Sequence, residues 1–269
     1  MFGTVSLSSR LFSANPPETR NCNRMNVATQ PRFLHSGDTA LVVEFGERID
    51  RDVSALVLSL ARRLQAEAIP GVVEVVPTFR SLLVHYEPLS LPHKELVRRL
   101  APLIEGITAQ QRPGRQWRIP ACYDPELGPD LGEVAQRTGL SPAQVVERHS
   151  ATPFHVYMMG FLPGFPYMGD LPAELELPRR ENPRVRVPPG SIAIAMAMTA
   201  IYTLESPGGW HLLGRTPAPL WDLRRAQPAL LAAGDKLVFA PVSLREYEAI
   251  LAKAAAGEYE LLPAVGVPA

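Results

Sequence analysis

Four arginines stand within eight residues of this chain, at Arg179, Arg180, Arg184 and Arg186. A planar guanidinium group binds carboxylates and phosphates through paired hydrogen bonds, so the cluster predicts an anion site. Glu181 is the only counter-charge inside the segment. A solvated loop that leads into an edge strand is an equally good interpretation, and the sequence leaves that choice open.

The segment 160–169, GFLPGFPYMG, carries aromatic side chains around a turn. Pro163 followed by Gly164 predicts a type II turn, because proline fixes φ at the second position and glycine accepts a positive φ at the third. The aromatic side chains could face a ligand, although packing into the core is the preferred interpretation from the residues alone. They are Phe161, Phe165 and Tyr167.

A third segment, SPGGWHLLGRT at 206–216, has the glycine spacing of a phosphate-binding loop with Arg215 in place of lysine. We reject that interpretation because the interior, Trp-His-Leu-Leu, favours a strand, and Pro217 opposes a helix directly after it. The stretch 207–209, Pro-Gly-Gly, instead predicts a tight turn whose N–H groups could bind an anion. Candidate contacts in this segment are Ser206, Gly208, Gly209, Trp210 and Arg215.

Composition narrows the class of protein. The 269 residues include 27 basic and 27 acidic side chains, so a nucleic-acid binder held by phosphate contacts is not expected. Two cysteines are too few for a disulfide framework, and no Cys or His pair has zinc-site spacing, so no metal site is expected. With no apolar run of membrane-spanning length and no recognisable signal peptide, we expect a soluble cytoplasmic protein.

The hydrophobic patterning divides the chain into three regions. Residues 1–28 show no period and are interpreted as an extension that is disordered, a transit peptide, or a stretch upstream of a start at Met25. Residues 29–110 have the order β-α-β-β-α of a small α+β domain, with a helix that begins after Asp50. Residues 111–269 combine short strands with dense turn signals, the pattern of a sandwich or barrel.

Individual elements follow from the same patterns. In the first domain we expect strands at 41–45, 72–76 and 82–86 and helices at 49–64 and 96–104. In the second we expect a helix capped by Ser141 and a final helix near 243–255. The strands expected there are at 155–161, 184–187, 191–198, 201–204, 210–213 and 236–240.

Taken in order, the segments GFLPGFPYMG, PRVRVPPGS and IYTLESPGGWHLLGRTP, with SGDTALVVEFG near the start, resemble the KipI family, also called allophanate hydrolase subunit 1. The resemblance runs from about Arg32 to about Glu248. It implies an α+β protein, in which a small N-terminal α+β sandwich precedes a C-terminal cyclophilin-like β-barrel.

The resemblance also implies a function. The implied protein is one component of an ATP-dependent 5-oxoprolinase, which opens 5-oxoproline to glutamate. The resemblance further implies that this component is inactive alone and acts with a KipA-like subunit and a LamB/YcsF-like subunit. ATP is the implied cofactor, with Mg²⁺ expected. Two alternatives stay open: a regulatory kinase inhibitor of the KipI type, and the carboxyltransferase component of a urea carboxylase or allophanate-type enzyme.

Positions shared with the family motifs imply roles for individual residues, although no catalytic residue is implied. A developing oxyanion or a phosphate could be stabilised by Arg184, Arg215 and the stretch 207–209. The residues suited to a wall for a ligand or partner are Phe161, Phe165, Tyr167 and Trp210; Gly164, Arg179 and Ser206 belong to the same motifs. The chain departs from the family at Met198, where an amide is usual, and at Ala200, where a glycine with positive φ is expected.

Overall fold

The first half of the fold is a four-stranded antiparallel sheet packed against two helices. The computed structural model describes residues 31–109 and 114–264. The elements are β1 (Arg32–His35), β2 (Ala40–Glu44), α1 (Arg51–Glu67), β3 (Val72–Pro77), β4 (Ser81–Tyr86) and α2 (His93–Ile104). The strand order is β1-β2-β4-β3, and the apolar faces of sheet and helices share one core.

The second half is built on a seven-stranded sheet that nearly closes into a barrel. Its helices are α3 (Leu131–Thr138), α4 (Pro142–Ala151) and α5 (Leu244–Ala256). Its strands are β5 (Gln116–Ala121), β6 (Phe154–Met159), β7 (Pro166–Gly169), β8 (Arg184–Val187), β9 (Ser191–Ala195), β10 (Met198–Ile201), β11 (Ser206–Gly208), β12 (His211–Arg215) and β13 (Lys236–Pro241).

Backbone hydrogen bonds bring the two ends of that sheet together. The order is β12-β9-β10-β7-β6-β13-β5, with β13 and β5 parallel. Just beyond β5, Cys122 exchanges two hydrogen bonds of 2.8 Å with Arg215 on β12. Strands β8 and β11 form a separate two-stranded ribbon. The predicted α+β class with a C-terminal barrel is confirmed.

Alternation along the strands gives the barrel sheet two packed faces. On β9, Ile192 and Ile194 enter the large core, together with apolar side chains of α3 and α4. Ala193 and Ala195 point to the opposite face, where they pack with residues of β10 and β12 and with Val187 of the ribbon. The ribbon therefore covers one patch of the outer face of the sheet. We call this patch, together with the aromatic residues Phe165, Tyr167, Tyr202 and Trp210 that pack on it, the ribbon-covered face.

Helix boundaries agree with the local signals. The Asp50 carboxylate accepts the N–H groups of Asp52 and Val53 at the start of α1. Ser141 and Ser243 each form a capping box at the start of α4 and α5. These caps satisfy N–H groups that have no partner within a helix, which is why the residue types identify helix starts.

Several expected strands are wrong in detail. The run expected at 191–198 is two strands, β9 and β10, joined by a turn in which Met196 has a φ of 53°. No strand continues through 201–204, because β10 ends at Ile201. The sequence patterns do not predict strands β1, β5 and β7 or helix α3. Strands β1 and β7 have four residues each, too few for alternation to stand out.

The two halves meet along α1 and the strands β6 and β7. Arg51 forms an ion pair of 2.9 Å with Asp170, and Ser54 Oγ lies 3.4 Å from His155 Nε2. Among the described residues, no helix combines the length and apolar character that a bilayer span requires. The expected extension at 1–28 lies outside the described residues.

Candidate anion-binding site

The predicted type II turn is present and carries an exposed aromatic side chain. Gly164 has a φ of 71°, and the N–H of Phe165 donates to the carbonyl of Leu162 at 3.1 Å, which closes the turn around Pro163. Phe161 just before it adopts a φ of 67° and is 59% exposed. A bulky residue in the left-handed region costs free energy, and such strain is typical of functional loops.

The aromatic side chains differ in their exposure to solvent. Phe165 and Trp210 are buried, whereas Tyr167 is half-buried. The Phe165 ring lies 4.9 Å from Tyr167 and 5.2 Å from Tyr202, and Tyr167 lies 6.0 Å from Trp210. These edge and tilted contacts give one continuous aromatic layer on the ribbon-covered face. Tyr202 is not among the candidates from sequence, although it lies within a quoted motif.

Two arginines act on the tyrosine hydroxyls of this layer. Burial, reinforced by the Tyr167 hydroxyl, raises the pKa of Tyr202 to about 12, while Arg179 and Arg184 act in the opposite direction. Burial also raises the pKa of Tyr167, again opposed by Arg179. Both hydroxyls are therefore protonated at neutral pH, the Tyr202 hydroxyl in a buried position and the Tyr167 hydroxyl in a half-buried one. We call these four residues the arginine–tyrosine cluster.

The four sequence arginines do not form one site. Arg179 is exposed and has no ion pair among the described residues. Arg186 is exposed and pairs with Glu205 at 2.8 Å. Glu181 is the only acidic residue inside the segment, and the fold adds acidic partners from distant parts of the chain.

Asp130 is the most important of these acidic groups, and it is not among the candidates from sequence. Its buried carboxylate accepts Arg184 Nη2 at 2.6 Å and Arg180 Nη1 at 3.1 Å, and the N–H of Leu212 at 2.7 Å. Arg180 also pairs with Glu133 on α3 at 3.1 Å. Asp130 directly precedes α3, and an acidic residue before an apolar helical run is the one signal that could have pointed to it.

The segment with phosphate-loop spacing is a strand pair. Residues 206–208 form β11, which pairs with β8, and neither Gly208 nor Gly209 has a positive φ. The expected tight turn with a nest of N–H groups is therefore wrong. Residues 211–215 form β12, in agreement with the rejection of a phosphate-binding loop.

Arg215 lies on the ribbon-covered side of the sheet. It stands opposite Ser191 in the β12–β9 pair, so the two side chains share a face. Neither Arg215 Nε nor Ser191 Oγ has a hydrogen-bond partner, although both atoms are buried. Arg215 has no ion pair with any described residue.

The two departures from the family motif lie on β10. Ala200 is buried in an extended strand, so the expectation of a positive φ at this position is wrong for this chain. Met198 packs, half-buried, against the ribbon-covered face, whereas Met196 is exposed in the turn. The thioether of Met198 thus adds apolar surface where an amide would offer hydrogen bonds.

Unpaired buried polar atoms concentrate around this face. Six of the eight such atoms in the described residues belong to positions 180–215: Arg180 Nε, Arg184 Nη1, Ser191 Oγ, Ser206 Oγ, His211 Nδ1 and Arg215 Nε. Buried polar groups normally have partners, so these atoms keep donors and acceptors that the described residues do not use. His211 Nε2 lies 2.9 Å from the carbonyl of Pro178 and donates to it, whereas Nδ1 has no partner among the described residues.

The polar groups of this site are guanidinium groups and hydroxyls. Within the described ranges we find no group of three potential metal ligands and no glycine-rich loop that leads into a helix. The cluster offers instead two guanidinium groups and two hydroxyl donors beside an aromatic layer. This set fits a compact ring compound with a carboxylate.

The fold and the site together define a carboxyltransferase-type domain. The family described as "Carboxyltransferase domain, subdomain C and D" matches residues 31–231, and the chain belongs to this family. A 5-oxoprolinase subunit from Bacillus subtilis (strain 168) is 36% identical over 227 residues, covering 79% of this chain and 93% of that protein.

Solved structures agree with the assignment. The crystal structure of TTHA0988 is 37% identical with a TM-score of 0.68, covering 76% of this chain. The present chain spans only 40% of the length of that solved chain. The urea amidolyase of K. lactis is 20% identical with a TM-score of 0.73, covering 88% of this chain and 16% of its own length, a likeness of fold alone.

Proposed function

We propose that this chain is one component of an ATP-dependent 5-oxoprolinase and binds the lactam substrate on the ribbon-covered face. The observation that carries the proposal is the arginine–tyrosine cluster beside the aromatic layer, in a chain 36% identical to a named 5-oxoprolinase subunit. 5-Oxoproline is a flat five-membered ring with one carboxylate. Its carboxylate suits the guanidinium groups, and its ring suits the aromatic wall.

The reaction needs more than this chain supplies. Opening the lactam adds water to the ring carbonyl, breaks the C–N bond and leaves the nitrogen as the amine of glutamate. An amide carbonyl is a poor electrophile, which is the reason for coupling to ATP. Because the described residues lack a phosphate-binding loop, we assign ATP and Mg²⁺ to another subunit and expect this chain to be inactive alone.

The residues of this chain would act on the substrate by positioning and charge stabilisation. Arg184 and Arg179 would fix the carboxylate, and the half-buried Tyr167 hydroxyl would donate to an oxygen atom that gains negative charge, with the buried Tyr202 ring behind it. Arg215, with Ser191 opposite it, would provide a second cationic point at the far end of the same face. Phe165 and Trp210 would exclude water from the ring.

Partner subunits would supply the remaining chemistry. We propose a KipA-like subunit and a LamB/YcsF-like subunit, in the cytoplasm where ATP is available. The unpaired buried atoms and the exposed Phe161 support a chain that is completed by another.

The decisive experiment measures glutamate released from 5-oxoproline and ATP by the chain co-purified with the two partner subunits. We expect turnover only when all three proteins are present. A stable complex that does not act on 5-oxoproline but transfers a carboxyl group to or from a biotinylated carrier would replace the hydrolase by a carboxyltransferase. Tight binding to a histidine kinase dimerisation domain without any multi-subunit complex would replace it by the regulatory function.

A further inference from the structure

The contacts of Asp130 tie three separate parts of the chain to one carboxylate. Asp130 precedes α3, and its side chain is 4% exposed. One carboxylate oxygen accepts both arginines, Arg180 at 3.1 Å and Arg184 at 2.6 Å, while the other accepts the N–H of Leu212 at 2.7 Å. The Asp130 N–H in turn donates to the Leu212 carbonyl at 3.1 Å. The carboxylate is thus locked to β12.

Arg184 is not required to satisfy this carboxylate. Arg180 and Leu212 already give each oxygen of Asp130 a donor. Removing a charge from water is costly unless it is paired, and that condition is met without Arg184. The main effect of the short hydrogen bond between Asp130 and Arg184 is therefore on the arginine, because the bond fixes the direction of a long and flexible side chain.

The fixed arginine keeps most of its donors. Only Nη2 of Arg184 is used by Asp130, and neither Nε nor Nη1 has a partner among the described residues. Nη1 is covered by protein, whereas Nε is not among the fully buried unpaired atoms, and the side chain remains 24% exposed. The Nε–H can therefore donate to a carboxylate that enters from solvent. Arg184 also stands opposite Gly208 on β11, next to the Tyr202 ring.

We propose that Asp130 is a positioning residue, which holds Arg184 so that the unpaired Nε–H of its guanidinium group donates to the carboxylate of 5-oxoproline. The inference rests on the proposed function and deepens it, because it names the group that selects an acidic lactam. Neutral lactams of the same ring size would lack the group that Arg184 binds.

The test is a double-mutant cycle in the assembled three-protein enzyme, with KM for 5-oxoproline and KM for ATP measured separately. We expect Asp130→Asn and Arg184→Ala each to raise KM for 5-oxoproline about tenfold or more, the loss of one charge-assisted hydrogen bond. KM for ATP stays unchanged. The double variant should have a KM for 5-oxoproline no higher than that of Arg184→Ala alone, because in this proposal Arg184 is the only one of the Asp130 partners that binds the substrate. Arg186→Ala, on the same strand but paired with Glu205, is the matched control.

The outcomes separate the two proposals. A wild-type complex that does not turn over 5-oxoproline overturns the proposed function and this inference with it. An active complex in which Asp130→Asn leaves KM for 5-oxoproline unchanged, or in which the two losses multiply, overturns this inference alone. If Asp130→Asn fails to assemble, Asp130→Glu replaces it: the charge is kept, the carboxylate moves by one methylene, and KM for 5-oxoproline must still rise.

Discussion

The hydroxyl group of Tyr202 occupies the space that a side chain at position 208 would need. A Cβ placed on Gly208 would lie 2.8 Å from Tyr202 Cζ. At the next position, a Cβ on Gly209 would lie 3.6 Å from the Pro183 ring and 3.9 Å from the Arg180 carbonyl oxygen, which are ordinary contacts. Because Gly208 has no side chain, the Tyr202 ring can pack directly against it. This contact determines where the Tyr202 hydroxyl lies in the arginine–tyrosine cluster.

This difference predicts opposite outcomes for two neighbouring substitutions. Gly208→Ala must displace the Tyr202 ring, so we expect destabilisation of about 1–3 kcal/mol and a clear rise in KM for 5-oxoproline. Gly209→Ala should change both by little. Denaturant unfolding of each variant and kinetics of the assembled enzyme measure the two effects, and equal behaviour of the two variants would show that Tyr202 is not held by Gly208.

Arg215 should matter for turnover more than for stability. It has no ion pair with a described residue, and its stem packs beside Gly190. We expect Arg215→Ala to lower the stability by no more than about 1 kcal/mol and turnover by about 10- to 100-fold. Thermal melting and glutamate release test this. A large loss of stability with unaltered turnover per folded molecule would make the residue structural.

Substitutions at Phe161 and Met196 can separate the effect of backbone strain on stability from an effect on function. Both have positive φ, 67° and 53°, and both are more than half exposed. Asparagine tolerates this conformation better, so Phe161→Asn and Met196→Asn should each keep or raise the melting temperature. Only Phe161→Asn should reduce turnover of the complex, because Phe161 adjoins the aromatic layer, 5.4 Å from Phe165. A loss of stability in both variants would contradict this view of the strain.

A buried histidine makes stability depend on pH. His149 lies between the Tyr123 hydroxyl, 2.8 Å from Nδ1, and Thr199 Oγ1, 3.0 Å from Nε2. Since Thr199 gives its own proton to the Ala193 carbonyl, Nε2 carries the imidazole proton and Tyr123 donates to Nδ1. Burial lowers the pKa of His149 to about 3.

The direction in which stability changes with pH follows from the number of protons bound by the unfolded and folded chains. Between about pH 6.5 and pH 3 the unfolded chain protonates this histidine and the folded chain does not, so stability is full above pH 6.5 and falls as the pH decreases. We expect His149→Gln to reduce this slope between pH 7.5 and pH 5, and Tyr123→Phe to lower the melting temperature while keeping the slope. Some slope remains from His155, whose pKa burial lowers to about 4. Identical slopes in wild type and His149→Gln would refute the assignment.

Local sequence signals predict several helix starts and one turn of the fold. Asp50, Ser141 and Ser243 predict the starts of α1, α4 and α5, because a helix cap is a contact between residues two or three positions apart. The Pro163–Gly164 turn is predictable for the same reason. Each of these features depends on residues a few positions apart and not on a tertiary contact.

The site depends on contacts that local patterns do not contain. Asp130 lies 50 and 54 positions before the arginines that it binds, and 82 before Leu212. No spacing rule connects them. The Pro-Gly-Gly stretch reads locally as a turn, but its pairing with β8 makes it a strand. Tertiary pairing thus decides both the charge balance of the arginines and the conformation of the glycines.

The position of β13 has a consequence for biosynthesis. Lys236 pairs with Gln116 on one side and His155 on the other, so β13 inserts between strands made some 80 to 120 residues earlier. Until the ribosome has released this segment, β5 and β6 present unpaired edges that can join other chains. A nascent chain stalled before β13 is therefore expected to need a chaperone, and closure of the barrel is a late event in synthesis.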